Sequence, residues 1–298
     1  MKSDLQIFLD GELVPAGEAK ISVYDHGFLY GDGVFEGLRV YNRRIFRHEE
    51  HIERLYRSAK AIWLEPPYSR EEFKRHTEQT VIANRIENGY IRAIFSRGVG
   101  DLGLDPRKCP KPTTIIIADT IQVHPPEVYE RGIECITAAT RRNRADVLNP
   151  AIKSLNYLNN VLAKIETIKA GVSSCIMLND QGLVTEGNVE NLFIVHEGYN
   201  GDIELQTPPV SAGILEGITR FSVMELAEKL GFRVVEKNLA LYDLYNAKEA
   251  FLTGSGAEIV PMTTLDMRKI GDGQPGEMTK ALIAAYKELT ASEGEPLF

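Results

Sequence analysis

The sequence predicts a mixed α/β (α+β) protein divided into two domains, and three observations carry that expectation. The chain has 298 residues, 43% hydrophobic and 26% charged, which is enough apolar material for two separate cores. Its first part runs strands, then helices, then strands, whereas the remainder alternates strands and helices more evenly. Paired prolines, Pro125-Pro126, stiffen the stretch IQVHPPEVYER and mark a linker. The expected division is a small N-terminal domain over residues 1–120, a linker over 121–131 and a larger domain over 132–298.

The elements follow from local pattern. IFLDGELV sets Asp10-Gly11 between two apolar runs, a strong hairpin signal. VFEGLRVYNRRIF predicts a second strand pair that turns at Asn42-Arg43. A helix is expected from His48 to Trp63, because Ile52, Leu55, Ala59, Ile62 and Trp63 share one face, and Pro66-Pro67 end it. A second helix is expected from Glu71 to Ile86, followed by buried strands in YIRAIFSRG and TTIIIADTI. Between those strands, SRGVGDLGLDPRKCPKP is a long Gly- and Pro-rich loop, a length usually functional or disordered. In the second part GIECITAAT is a strand, and SLNYLNNVLAKIETIKAG a helix closed by Gly171. CIMLNDQGLVTEGNVENLFIVHEG holds two or three strands that turn at Asp180-Gln181-Gly182. An amphipathic helix in EGITRFSVMELAEKLG ends at Gly231; a strand, a short helix, the strand EAFLTGS and a terminal helix near MTKALIAAYKELT complete the chain.

Charge and cysteine usage narrow the function classes. A net charge of -8 argues against a nucleic-acid or anionic-membrane partner, while leaving room for a local basic pocket. The start MKSDLQIFLDGELV lacks the apolar stretch of a signal peptide, and no run is long enough to span a bilayer. Cys109, Cys135 and Cys175 are odd in number and far apart, which suits reduced thiols in a cytoplasmic protein.

The stretch YGDGVFEGLRVY places three glycines around an acid. It is not a dinucleotide loop: Gly31, Gly33 and Gly37 are spaced one residue too long, and Val34, Phe35, Leu38, Val40 and Tyr41 favour a strand. A strand whose backbone is closely approached is the better reading. HEEH at 48–51 brings two histidines to one helix face, but no third ligand follows, and no metal is expected. No hydrolase elbow, Walker loop or kinase set is present.

The stretch PAIKSLNYLNNVLAK is different. Lys153 is expected within about a turn of a helix start, with Ser154, Asn156, Asn159 and Asn160 around it and no carboxylate near in sequence. The dipole there disfavours an ammonium, and a lysine that sheds its proton forms Schiff bases. A helix start at EGITR and the small-residue loop TGSGAE offer two anion sites. Glu186 in VTEGNVENLF is a candidate acid against a pyridine nitrogen, the alternative being a surface hairpin glutamate.

With YGDGVFEGLRVY, HIERL, YIR, IKSLNYLNN, TEGNVENLF, GITR and TGSGAEI in that order, the chain resembles the fold-type IV pyridoxal phosphate enzymes over nearly its whole length. Within them it resembles the bacterial and archaeal branched-chain amino-acid aminotransferases. That resemblance implies a small N-terminal α/β domain, a larger cofactor-binding domain, and pyridoxal 5'-phosphate between them. It implies that Lys153 binds the cofactor covalently and carries the proton at the substrate Cα. Glu186 would face the pyridine nitrogen, and Tyr157 the phenolic oxygen. Arg54, the backbone of Ile218 and Thr219 and the hydroxyl of Ser255 would hold the phosphate. Tyr90 with the amides of Ser255 and Gly256 would meet the α-carboxylate. Tyr30, Phe35 and Gly37 would shape the side-chain pocket, and Arg39 and Arg92 are candidates for a second carboxylate.

The implied reaction exchanges amino groups between leucine, isoleucine or valine and 2-oxoglutarate. D-amino-acid transamination is a competing reading, although the loop GVGDLGLDP lacks the histidine of that group's carboxylate trap. (R)-amine transamination on the same scaffold is another. Aminodeoxychorismate lyase shares the lysine region, but YGDGVFEGLR with YIR fits the branched-chain group better. A catalytically silent binding protein is the reading from another class, and retention of Lys153 with Glu186 speaks against it. The family also implies a homodimer or higher oligomer, in which the loop carrying Leu102 and Leu104 closes the neighbouring subunit's pocket.

Overall fold

The computed structural model describes residues 4–121 and 125–298. Residues 1–3 and residues 122–124, which belong to the expected linker, lie outside the described residues. The chain forms two compact units that are not contiguous in sequence. The first comprises Met1–Ile121, Ile152–Tyr157 and Thr290–Phe298; the second comprises Gln122–Ala151 and Leu158–Leu289. The lysine segment therefore groups with the N-terminal residues, although the sequence places it within residues 132–298.

The first unit begins with the expected hairpin, β1 (Gln6–Leu9) and β2 (Glu12–Pro15). Asp10 and Gly11 turn it with positive φ, as two-residue hairpins require. A short helix α1 (His26–Tyr30) follows, capped by the Asp25 carboxylate. Next come β3 (Gly33–Tyr41), β4 (Arg44–Ile45), α2 (His48–Ala61), α3 (Arg70–Ala83), β5 (Gly89–Ser96) and β6 (Thr113–Asp119). The sheet order is β2-β1-β6-β5-β3-β4. Helices α2 and α3 pack on β3 and β6 over a core that includes Leu38, Leu55, Phe73 and Ile116.

Alternation along β3 sorts its side chains onto two faces. Val34, Leu38 and Val40 enter the core under the helices, and Glu36 falls on that same face. Phe35, Gly37 and Arg39 occupy the opposite face. The β3–β5 register sets Gly37 against Arg92 and Arg39 against Tyr90. At the start of β3 the edge away from β5 is taken by the lysine segment: Phe35 N–H donates to the Lys153 carbonyl at 2.9 Å and Leu155 N–H to the Gly33 carbonyl at 2.9 Å. These bonds explain a departure from expectation. The helix predicted from Ser154 starts only at Leu158 (α5, Leu158–Ala170), because residues 153–155 are committed to a sheet edge.

The second unit contains α4 (Pro126–Arg131), β7 (Ile133–Thr137), α5, β8 (Ser174–Leu178), β9 (Val184–Gly187), β10 (Asn191–Glu197) and β11 (Ile203–Thr207). It continues with α6 (Ile218–Lys229), β12 (Arg233–Glu236), α7 (Leu241–Tyr245), β13 (Glu249–Gly254), β14 (Glu258–Leu265) and β15 (Arg268–Lys269). Helix α8 (Glu277–Ser292) closes the chain. The sheet runs β12-β11-β10-β13-β14-β7-β8-β9, with β15 on β14. Its core includes Ile176, Leu192, Leu252 and Val260. Within residues 121–131, where a stiff linker is expected, α4 forms instead, with Pro126 at the first helical position where its missing N–H costs nothing. Among the described residues no helix is long and apolar enough to cross a membrane.

Candidate active site

Lys153 is half-buried, and its position follows from the strand-like bonds just described. Its backbone N–H also donates to Ser58 Oγ on α2 at 3.3 Å. Its Nζ donates to the Tyr157 hydroxyl at 3.2 Å and lies 4.8 Å from the Phe35 ring centre. Phe35 and Tyr157 meet edge to face, 4.9 Å apart. Lys153 lies outside the first turn of α5, so the dipole argument made from sequence does not apply to it.

The same face of the sheet gathers the pocket candidates. The Arg92 guanidinium stacks 4.5 Å from the Phe35 ring, and its Nη2 is 3.4 Å from the Tyr90 hydroxyl. Tyr90 explains Gly37: a Cβ there would fall well inside contact with the Tyr90 hydroxyl. The close approach to the glycine strand is thus made by a side chain of β5. Arg39 lies over Tyr41, 4.9 Å from its ring centre. Tyr30 is not part of this cluster; its hydroxyl donates to the Leu102 carbonyl at 2.6 Å, and it belongs with the exposed loop.

Arg54 is buried on the helix face of β3, so the alternative of a solvated helix residue is excluded. Its Nε and Nη2 reach Glu36 Oε1 and Oε2 at 2.6 and 2.8 Å. His51 Nδ1 is 2.8 Å from Glu36 Oε2. His48 does not join it; its Nε2 is 2.6 Å from Thr77 Oγ1. The HEEH histidines therefore serve separate packing contacts.

In the second unit, Glu186 on β9 is buried and accepts from Arg142 Nε at 2.8 Å, Leu215 N–H at 2.8 Å and Asn191 Nδ2 at 3.2 Å. A surface hairpin glutamate is excluded. Ile218 and Thr219 open α6 after Gly217, and no side chain caps that helix end. A Cβ on Gly217 would overlap the Asn191 side-chain oxygen, so the approach to those amides is built for glycine. Ser255 and Gly256 form the half-buried turn between β13 and β14.

Glu36, His51, Arg142 and Asn191 were not singled out from sequence as site residues. Glu36 had a usable signal, an acid on the buried face of a strand with an H-x-x-R helix to follow. Arg142 had none that separates it from Arg141 and Arg144.

A family model described as amino-transferase class IV matches residues 33–265. The chain belongs to the class IV aminotransferases. A Methanocaldococcus jannaschii protein, named provisionally as a branched-chain-amino-acid aminotransferase, is 49% identical to this enzyme over 290 residues, 97% of this chain and 98% of the relative. A Pseudomonas aeruginosa branched-chain-amino-acid aminotransferase is 37% identical, over 97% of this chain and 94% of its own. A Bacillus licheniformis D-alanine aminotransferase is 34% identical, over 97% and 98%. Among solved structures, the T.th. branched-chain amino acid aminotransferase with pyridoxamine 5'-phosphate matches with a TM-score of 0.91 at 34% identity, covering 97% of this chain and 94% of that one. The same protein complexed with N-(5'-phosphopyridoxyl)-L-glutamate gives 0.90 over the same shares.

The enzyme is accordingly a pyridoxal phosphate aminotransferase. Its residues suit that group in type: a half-buried lysine amine beside a tyrosine hydroxyl, a buried carboxylate held by an arginine, and a helix start left open by Gly217 and without a side-chain cap.

Proposed function

We propose that the enzyme moves amino groups between the branched-chain L-amino acids leucine, isoleucine or valine and 2-oxoglutarate, giving branched 2-oxo acids and L-glutamate. The observation that carries this reading is the cluster around Lys153: an amine over an aromatic ring, with Arg92, Tyr90 and Gly37 on the same sheet face. Pyridoxal phosphate supplies an electron sink for the pair left at Cα. Lys153 would hold the cofactor through its amine and would move the proton between the substrate Cα and the cofactor's C4′. Tyr157, on the lysine amine, would orient the cofactor through its phenolic oxygen. Glu186, fixed by Arg142, would keep the pyridine nitrogen protonated. Arg54, the Ile218 and Thr219 amides and the Ser255 hydroxyl are the groups that would hold the phosphate.

Tyr90 and the Ser255 and Gly256 amides are the groups that would take the α-carboxylate, and Phe35 and Gly37 would line the side-chain pocket. Arg92 is the better placed arginine for a second carboxylate, since it shares the Phe35 ring with Lys153, whereas Arg39 lies over Tyr41. Tyr30 travels with the Leu102 loop. It would serve a neighbouring copy in a homodimer or larger assembly. A cytoplasmic location suits three unpaired cysteines.

D-amino-acid transamination is the second reading, favoured by the D-alanine aminotransferase relative. Against it, Arg97 at the start of the loop is held by Asp32 and by the Ile62 and Trp63 carbonyls, and no histidine follows through Pro112. A panel of L-leucine, L-valine, D-alanine and (R)-phenylethylamine with 2-oxoglutarate tests both. L-leucine and L-valine should lead; turnover greatest with D-alanine or the amine would overturn the L-branched-chain reading.

A further inference from the structure

Glu36 is fully buried in the middle of β3. An unpaired carboxylate there would cost several kcal/mol, and the fold meets that cost with two partners on one face of α2. Arg54 grips it side-on through Nε and Nη2, and His51 approaches through Nδ1. Burial alone would push the Glu36 carboxyl up, but Arg54 and His51 outweigh it and hold the group far below the usual carboxylate range. His51 is pushed down by burial, against the pull of Glu36. A neutral imidazole facing a carboxylate must donate from Nδ1, which fixes its tautomer. The trio is thus an ionised pair plus a neutral, oriented histidine.

Two contacts tie the trio to the lysine. Ser58, one turn beyond Arg54 on α2, accepts the Lys153 backbone N–H at 3.3 Å. Phe35, the residue before Glu36, donates its backbone N–H to the Lys153 carbonyl at 2.9 Å. Lys153 is also close enough for its charge to act on His51. The strand and the helix that hold Glu36 and Arg54 therefore both hold the lysine backbone.

We infer that Glu36 and His51 are positioning residues, whose task is to fix the Arg54 guanidinium for the cofactor phosphate. A lysine would suffice for charge alone. A bidentate carboxylate instead locks the guanidinium plane, so its remaining donors keep one direction and little side-chain entropy is lost when phosphate binds. The inference rests on the proposed role of Arg54 as the phosphate arginine, and the test separates the two.

The readout is affinity of the full-length chain for pyridoxal phosphate and for pyridoxal, which lacks the phosphate, each followed by absorbance of the lysine-bound ligand. Arg54→Gln should cut the preference for the phosphorylated form by roughly 10- to 100-fold, the range of a lost charge-assisted contact. Glu36→Gln should cut it by at least about fivefold with pyridoxal binding unchanged, and His51→Gln by less in the same direction. Glu36→Asp, which keeps the charge on a shorter arm, should restore part of the preference. If Arg54→Gln leaves the preference intact, the phosphate role fails and the inference with it. If Arg54→Gln lowers it while Glu36→Gln and His51→Gln weaken both ligands equally or neither, the trio is merely structural and the inference is overturned. Should Glu36→Gln not fold, His51→Gln decides, since it removes one hydrogen bond and no charge.

Discussion

Lys153 has its amine on the Tyr157 hydroxyl and its backbone on the sheet edge, so function and fold use different atoms of one residue. Lys153→Ala should therefore leave the unfolding midpoint near wild type and lower turnover by at least about 10²-fold, the scale of a lost general acid–base group. Near wild-type turnover would sink its assignment. Glu186→Gln keeps a hydrogen-bonding group beside Arg142 but loses the negative charge that favours a protonated pyridine nitrogen. Cofactor should be retained while single-turnover proton transfer slows more than about tenfold; rates within about threefold would rule Glu186 out as that acid. His48 sets a pH dependence of stability. Burial, then the charge of Lys74, lower its pKa to about 3. The unfolded chain binds that proton near pH 6.5 and the folded one does not, so stability is complete above 6.5 and declines as pH falls toward 3. From pH 7 to pH 5 this costs about 2 kcal/mol, and His48→Gln should flatten that part of a urea-midpoint profile; an unchanged slope would refute it. Lys153 and Glu186 could be singled out from the sequence because each sits in a distinctive motif. Arg142 could not, because only tertiary contact distinguishes it from the arginines beside it.

Strand β3 shows how an element converts alternation into function, with Glu36 toward α2 and Phe35, Gly37 and Arg39 on the other face. Gly37→Ala would drive the Tyr90 hydroxyl away and disturb Arg92 stacked beside it. KM for the amino donor should rise several-fold, about 1 kcal/mol, with the unfolding midpoint moving little because the end of the Tyr90 side chain gives way; unchanged KM would show that Tyr90 is not at the substrate. Helix α3 begins with a capping box, Ser69 and Glu72 each bonding the other's backbone N–H. Ser69→Ala should cost about 1 kcal/mol in urea unfolding with turnover unaffected. Strong periodicity made α2 readable, and Asp10-Gly11 between two apolar runs made the β1–β2 hairpin so. The late start of α5 was not readable, since residues 153–155 trade helix propensity for bonds to β3. Helix α1 spans Tyr30 in only five residues, too few for a periodic signal. Strand β14 holds Pro261 and follows a glycine-rich turn, which read as the end of a strand and an anion loop.

At the scale of the whole molecule, the attachment of residues 152–157 and 290–298 to the first unit was not legible in the sequence. Local pattern is blind to which sheet edge a connecting segment will take. The long loop is the other feature whose meaning lies beyond its own neighbourhood. Leu102 and Leu104 are 68% and 78% exposed, with Val23 and Phe28 of the same unit at 68% and 67%. Tyr30 is tied to the loop through the Leu102 carbonyl. Asp101 anchors it as well, accepting from Gly103 N–H at 2.8 Å through Oδ1 and meeting His26 Nε2 at 2.7 Å through its backbone carbonyl. An anchored loop that presents leucines outward is suited to cover apolar surface on another copy of the chain. The enzyme should sediment as a dimer or larger at working concentration. Leu102→Ser with Leu104→Ser should lower the preference for leucine over alanine by roughly tenfold or more, because a few buried methylenes separate those substrates. A fully active monomer, or an unchanged leucine preference in that double variant, would mean that each chain closes its own pocket.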